Sequence, residues 1–84
     1  MLVEMPSYLL THRHAPADCG ATFAAWHGFR SPLRGRPVKA SCLMGDHGVW
    51  WTTEAPSAEA ALMQLPPFVA ERTEVVEVRD VPIP

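Results

Sequence analysis

Two histidines one residue apart, His12 and His14, are the most chemically suggestive feature of this chain. On a β-strand, residues two apart share a face, so both imidazoles project the same way with Tyr8 behind them. Neutral imidazole nitrogens at this spacing suit Zn, Ni or Cu. His12 and His14 are therefore candidate metal ligands, with His47, Cys42, Glu54 or a partner chain needed to complete the set. A cofactor-free alternative uses the same residues. His12 or His14 acts as a general acid or base, because imidazole titrates near neutral pH, and Tyr8 orients a phenolic or carbonyl substrate. The plain structural reading is a pair of strand-end histidines in solvent or a polar pocket.

Trp50 and Leu43 offer the apolar wall that small-molecule pockets usually have; equally, Trp50 can form the centre of a dimer interface. Arg30, Arg34, Arg36 and Lys39 are four of the seven basic residues, within ten positions. Arg34 and Arg36 can grip a carboxylate or phosphate through the guanidinium fork; a solvated basic loop is the alternative. Cys19 and Cys42 read as small buried hydrophobes rather than nucleophiles. His27 and His47 read as surface residues.

These side chains need elements to position them. Tyr8–His14 (YLLTHRH) reads as a first strand. Pro16 and Asp18 open a helix, with Cys19, Phe23 and Trp26 on one face and Gly28 as its stop. The Pro- and Gly-containing RSPLRGRP is a loop. Val38–Met44 and Val49–Glu54 read as a hairpin about the turn Gly45-Asp46-His47-Gly48, in a register setting Met44 against Val49, Cys42 against Trp51 and Leu43 against Trp50. Ser57 caps a second helix with Ala58, Ala61, Leu62 and Leu65 on its apolar face, which Pro66-Pro67 ends. Phe68 and Val69 lead through a short turn or helix to a last strand, Glu74–Val81.

The order β-α-β-β-α-β is that of a ferredoxin-like α+β domain: a four-stranded antiparallel sheet with two helices on one face. Adjacent strand residues point to opposite faces, so Trp50 and Trp51 cannot share a core. Trp51, on the more apolar side, belongs under the helices. Trp50, with Leu43, then lies on the open face, where a bare apolar patch marks an interface or ligand site. A homodimer packed sheet to sheet would cover it and enclose a cavity.

In this respect the chain resembles the dimeric α/β-barrel superfamily, from SYLLTHR to EVVEVRDV. The segment TEAPSAEAALMQLPPFV is similar to the strand-to-helix passage of muconolactone-isomerase-like and YCII-like proteins. It is also similar to that of small actinobacterial proteins of unknown function, at least one of them described as nickel-binding. The resemblance implies a fold and a homodimer. Its superfamily includes isomerases, cofactor-free monooxygenases, haem-degrading enzymes and metal binders, and no catalytic motif transfers residue by residue.

Length and composition narrow the classes. The 84 residues make one domain (1–84), with residues 1–6 read as a leader. The 48% hydrophobic content excludes a disordered chain. Seven Lys+Arg against nine Asp+Glu is a poor footprint for nucleic acid. No run approaches the roughly 20 apolar residues of a membrane span. Two cysteines outside any C-x-x-C motif suit a reduced, cytoplasmic protein. The leading expectation is a small-molecule-binding protein, of the isomerase or cofactor-free oxygenase kind, with Tyr8, His12, His14 and Trp50 lining a pocket at the open sheet face. The alternatives are a Ni-, Zn- or Cu-binding protein using His12 and His14, and a dimerisation module without catalysis.

Overall fold

The computed structural model describes residues 5–84; residues 1–4 of the expected leader lie outside the described residues. The fold is α+β. In chain order its elements are β1 (Ser7–Arg13), α1 (Cys19–Ala24), β2 (Lys39–Ala40), β3 (Gly48–Glu54), α2 (Ala58–Leu62), α3 (Pro67–Ala70) and β4 (Thr73–Val78). Short 3-10 turns cover Pro16–Asp18 and Cys42–Met44. The four strands form one antiparallel sheet in the order β2-β3-β1-β4.

Alternation along the strands separates two faces. Tyr8, Leu10 and His12 of β1, with Val49 and Trp51 of β3, are buried. They pack beneath Ala61, Leu65 and Val69 from the α2–α3 segment and against Trp26, just beyond α1. Trp26 and Trp51 meet with ring centroids 5.9 Å apart. The opposite face carries Leu9, Thr11, Trp50 and Val76, all intermediate or exposed. The expected division of the tryptophans is therefore observed. Trp50 is less bare than its type suggests, because its ring lies over Gly48. A Cβ there would sit 2.6 Å from the ring. The guanidinium of Arg13 covers it at 5.7 Å from the ring centroid.

Several helix signals act as written. The Ser57 side chain accepts a hydrogen bond from the Ala60 backbone N–H at 3.1 Å, capping α2. α2 ends at Leu62, earlier than expected; the tighter turns that follow it stop at Pro66, and Pro67 restarts the chain as the first residue of α3. Gly28 turns with φ of 75° and stops the turns that follow α1.

The hairpin differs from expectation. Only Lys39 and Ala40 form β2, pairing with Trp50 and Val49, so the register is not the expected one. Cys42, Leu43 and Met44 leave the sheet in a 3-10 turn, with Gly45 in the left-handed region at φ 91°. The cause is Ser41. Its carbonyl accepts from Met44 N–H at 2.9 Å and Asp46 N–H at 3.2 Å, and its hydroxyl accepts from Gly48 N–H at 3.0 Å. A side chain that satisfies local backbone donors ends the ladder early. Leu43 is consequently 99% exposed on the turn rather than beside Trp50. The α1 face is also corrected: Phe23 is 46% exposed, and the residue α1 buries is Thr22, whose hydroxyl donates to Asp18 O at 2.9 Å. β4 begins one residue early and ends at Val78.

Candidate metal centre

The register of β1 with β3 sets Arg13 opposite Gly48. The chain leaving β1 and the chain entering β3 therefore meet at one end of the sheet. His14 N–H donates to His47 O at 3.1 Å and joins them. Four side chains converge there: His14 from the chain just after β1, Cys19 from the first residue of α1, and Cys42 and His47 from the loop before β3. One ligand atom from each lies within 4.8 Å of all the others. His14 is buried; the other three are half-buried.

Both loops are held. Pro16 opens the 3-10 turn that leads into Cys19, and Asp18 N–H donates to Ala15 O at 2.8 Å. The second loop is tied by the Ser41 bonds described above. An exposed Arg13–Asp46 ion pair at 3.4 Å adds little, as surface pairs generally do.

The hydrogen bonds define which nitrogen of His14 faces the cluster. Val69 O can only accept, so the His12 Nδ1 at 3.2 Å from it carries a proton. Neutral His12 then accepts at Nε2, and His14 donates its Nδ1–H there across 3.0 Å. That leaves the His14 Nε2 lone pair facing Cys42 Sγ at 3.6 Å. A metal-binding imidazole characteristically donates its other N–H to a fixed acceptor in this way. Burial, chiefly, lowers the pKa of both rings, which keeps them neutral and basic-site-ready at neutral pH. For His14 the neighbouring His47 adds to the effect and Asp18 opposes it. For His12 the bond to Val69 O opposes burial, while His14 and Arg72 reinforce it.

The donor set fits a metal ion. His47 Nδ1 is a buried ring nitrogen with no hydrogen-bond partner among the described residues, as a nitrogen suited to a metal bond would be. A tetrahedral zinc with bonds of about 2.0–2.3 Å has donor–donor edges of about 3.3–3.8 Å. The His14–Cys42 pair is already at that spacing, 3.6 Å. The Cys42 thiol is pushed up, first by burial and then by Cys19 beside it, so it is protonated without a cation. A divalent ion reverses that preference. Two thiolates then neutralise its two charges, which suits a half-buried site. Two sulfurs with two nitrogens favour zinc among common ions.

Of the expected site residues, the structure joins His14 to His47 and Cys42, and makes His12 the hydrogen-bonded support of His14 rather than a member of the cluster. Tyr8, His12 and His14 lie on the helix-covered face, and Trp50 lies on the other. These four do not line one open-face pocket: β1 is turned with its histidines inward, because they find partners in Val69, Thr73 and each other. Glu54 is at the far end of β3 from the cluster. Arg34 and Arg36 border a separate cleft. His27 is exposed as expected. His47, expected on the surface, is half-buried in the cluster, and Cys42 sits on a turn rather than opposite Trp51. Cys19, expected as a small buried hydrophobe, is the fourth member of the cluster. A usable signal existed: His14 and Cys19, and again Cys42 and His47, are each separated by four residues, with loop-forming residues between.

No described helix is long and apolar enough to cross a membrane. In comparison with known proteins, the chain matches no family model, no curated protein and no solved structure.

Proposed function

We propose that this chain is a small zinc-binding domain, with His14, Cys19, Cys42 and His47 as ligands and His12 as the residue that orients His14. The observation that carries this reading is the convergence of four donors of the right chemistry from two separately tied loops. All four positions of a tetrahedron are supplied by protein, which is the pattern of structural rather than catalytic zinc. The ion's part is to cross-link the β1–α1 passage to the loop before β3. A chain of 84 residues has a small core, and a metal is one of the usual ways to stabilise one. This reading places the chemistry at the end of the sheet rather than at its open face, because Tyr8, His12 and His14 are buried on the other side.

The strand order with intervening helices supports a ferredoxin-like classification. The uncovered strip with Leu9, Trp50 and Val76, the last 55% exposed, supports sheet-to-sheet homodimerisation of the dimeric α/β-barrel kind. Light scattering at micromolar concentration tests this: a monomer refutes it.

The metal reading is tested on untagged protein purified without chelators. Elemental analysis should give one zinc per chain, lost in Cys19→Ala and in His47→Ala. Protein that stays folded but neither retains nor takes up zinc at one equivalent refutes the proposal.

A further inference from the structure

A second site lies away from the histidine–cysteine cluster and uses none of its four ligands. A cleft of about 220 Å³ opens between the loop after α1 and the buried face of β3. Trp26, Leu33, Val49 and Trp51 form its apolar lining, and Arg34 and Arg36 stand at its border. No aspartate or glutamate is among the lining residues. We propose that this cleft binds a small aromatic monocarboxylate, its ring against the tryptophans and its carboxylate held by Arg34 and Arg36.

Three observations argue for it. First, the walls are preformed. Leu33 is 4% exposed and anchors the loop in the core. Ser31 Oγ donates to Gln64 O at 2.6 Å and accepts from Leu33 N–H at 3.1 Å, tying the loop to the end of α2. Second, the basic groups are free to act. Arg36 makes no side-chain hydrogen bond or ion pair among the described residues, and Arg34 reaches only Phe29 O, at 3.4 Å. Gly35 between them turns with φ of 82°, a conformation that side chains rarely adopt, and both arginines border the same cleft. Guanidinium groups match carboxylate geometry and form the stronger, charge-assisted hydrogen bonds. Third, size selects the ligand. Drug-sized molecules occupy roughly 300–1,000 Å³, so this cleft accommodates a single ring with a short acidic arm. Tryptophan faces favour a flat ring over a plain chain of equal area.

The experiment titrates the full chain with phenylacetate and, separately, with its neutral analogue phenylacetamide. Binding is followed by calorimetry and by the NMR signals of the tryptophan indoles. Phenylacetate should bind at least about tenfold more tightly than the amide, the difference coming from charge-assisted hydrogen bonds, and should shift the Trp26 and Trp51 signals. Arg34→Gln/Arg36→Gln, both at exposed positions, should keep the fold and reduce acid binding to that of the amide. Equal binding of acid and amide, shifts at Trp50 alone, no binding of either, or an undiminished preference in the double variant would each overturn the proposal. Repeating the titration on zinc-loaded and chelator-treated protein separates it from the metal reading, since Cys19→Ala should still bind phenylacetate.

Discussion

Replacing His12 by leucine tests whether the buried imidazole positions His14, the proposed metal ligand. His12 is wholly buried, so a charged or larger substitute would add its own cost. Leucine roughly preserves the volume and removes both ring nitrogens. The main loss is the acceptor for His14 Nδ1–H, now 3.0 Å from His12 Nε2. An orphaned buried donor costs about 1–3 kcal/mol. Val69 O adds nothing to this, because the Thr73 hydroxyl still donates to it at 2.6 Å. Freed of its acceptor, His14 can also adopt the tautomer that hides the Nε2 lone pair. Loss of such a supporting bond typically weakens metal affinity about 10–100-fold, or about 1.4–2.7 kcal/mol. The first figure is a cost to folding; the second falls on metal affinity, because only the metal-bound form requires His14 to hold its proton on Nδ1. Competition for zinc between the protein and a chromophoric chelator measures the change directly. His12→Leu should lose one to two orders of magnitude in affinity while remaining folded, His12→Gln should recover part of it by offering an amide oxygen, and His14→Ala should abolish binding. Unchanged affinity in His12→Leu would refute the positioning role. Complete loss, equal to that of His14→Ala, would mean that His12 is itself a ligand.

Three other outcomes are expected. Burial lowers His12 and His14 below their ordinary value of 6.5, so on acidification the unfolded chain takes up protons that the folded chain refuses. The metal-free protein should therefore keep its melting temperature above about pH 7 and lose it steadily below about pH 6.5; a midpoint that rises on acidification contradicts the buried, neutral pair. Hydrogen peroxide on metal-free protein should join Cys19 to Cys42, removing two hydrogen atoms by mass and reducing the peroxide to water, since their sulfurs lie within 4.8 Å. Sulfinic acid without the disulfide would show the thiols cannot meet. Ser57→Ala should destabilise the fold by about 1 kcal/mol in urea unfolding through loss of the α2 cap, without altering zinc content.

The features legible in the sequence are those set by local chemistry. Ser57 marks the start of α2, and the Pro66-Pro67 pair marks the end of the turns that follow it, because capping and the missing proline donor act within one turn. Gly28 ends the first helical segment for an equally local reason. Strand alternation sends Trp50 and Trp51 to opposite faces, and it places His12 and His14 on one face together. The hairpin misled because apolar content in Ser41–Met44 suggested a strand, whereas the Ser41 hydroxyl and carbonyl bind the next loop's own amides and close it into a turn.

The sequence by itself determined the order of elements, the start of α2 at Ser57 and the pairing of the histidines on one side of the first strand. Only the tertiary structure decided which side that is. Hydropathy argues against burying two imidazoles, and the reason they are buried, a chain of bonds from His14 through His12 to Val69, spans 57 residues between His12 and its carbonyl partner. The His/Cys cluster has the same origin. Its two halves are short, unremarkable His/Cys pairs on separate loops, and they become one site because β1 and β3 lie side by side and antiparallel, bringing the end of one strand to the start of the other.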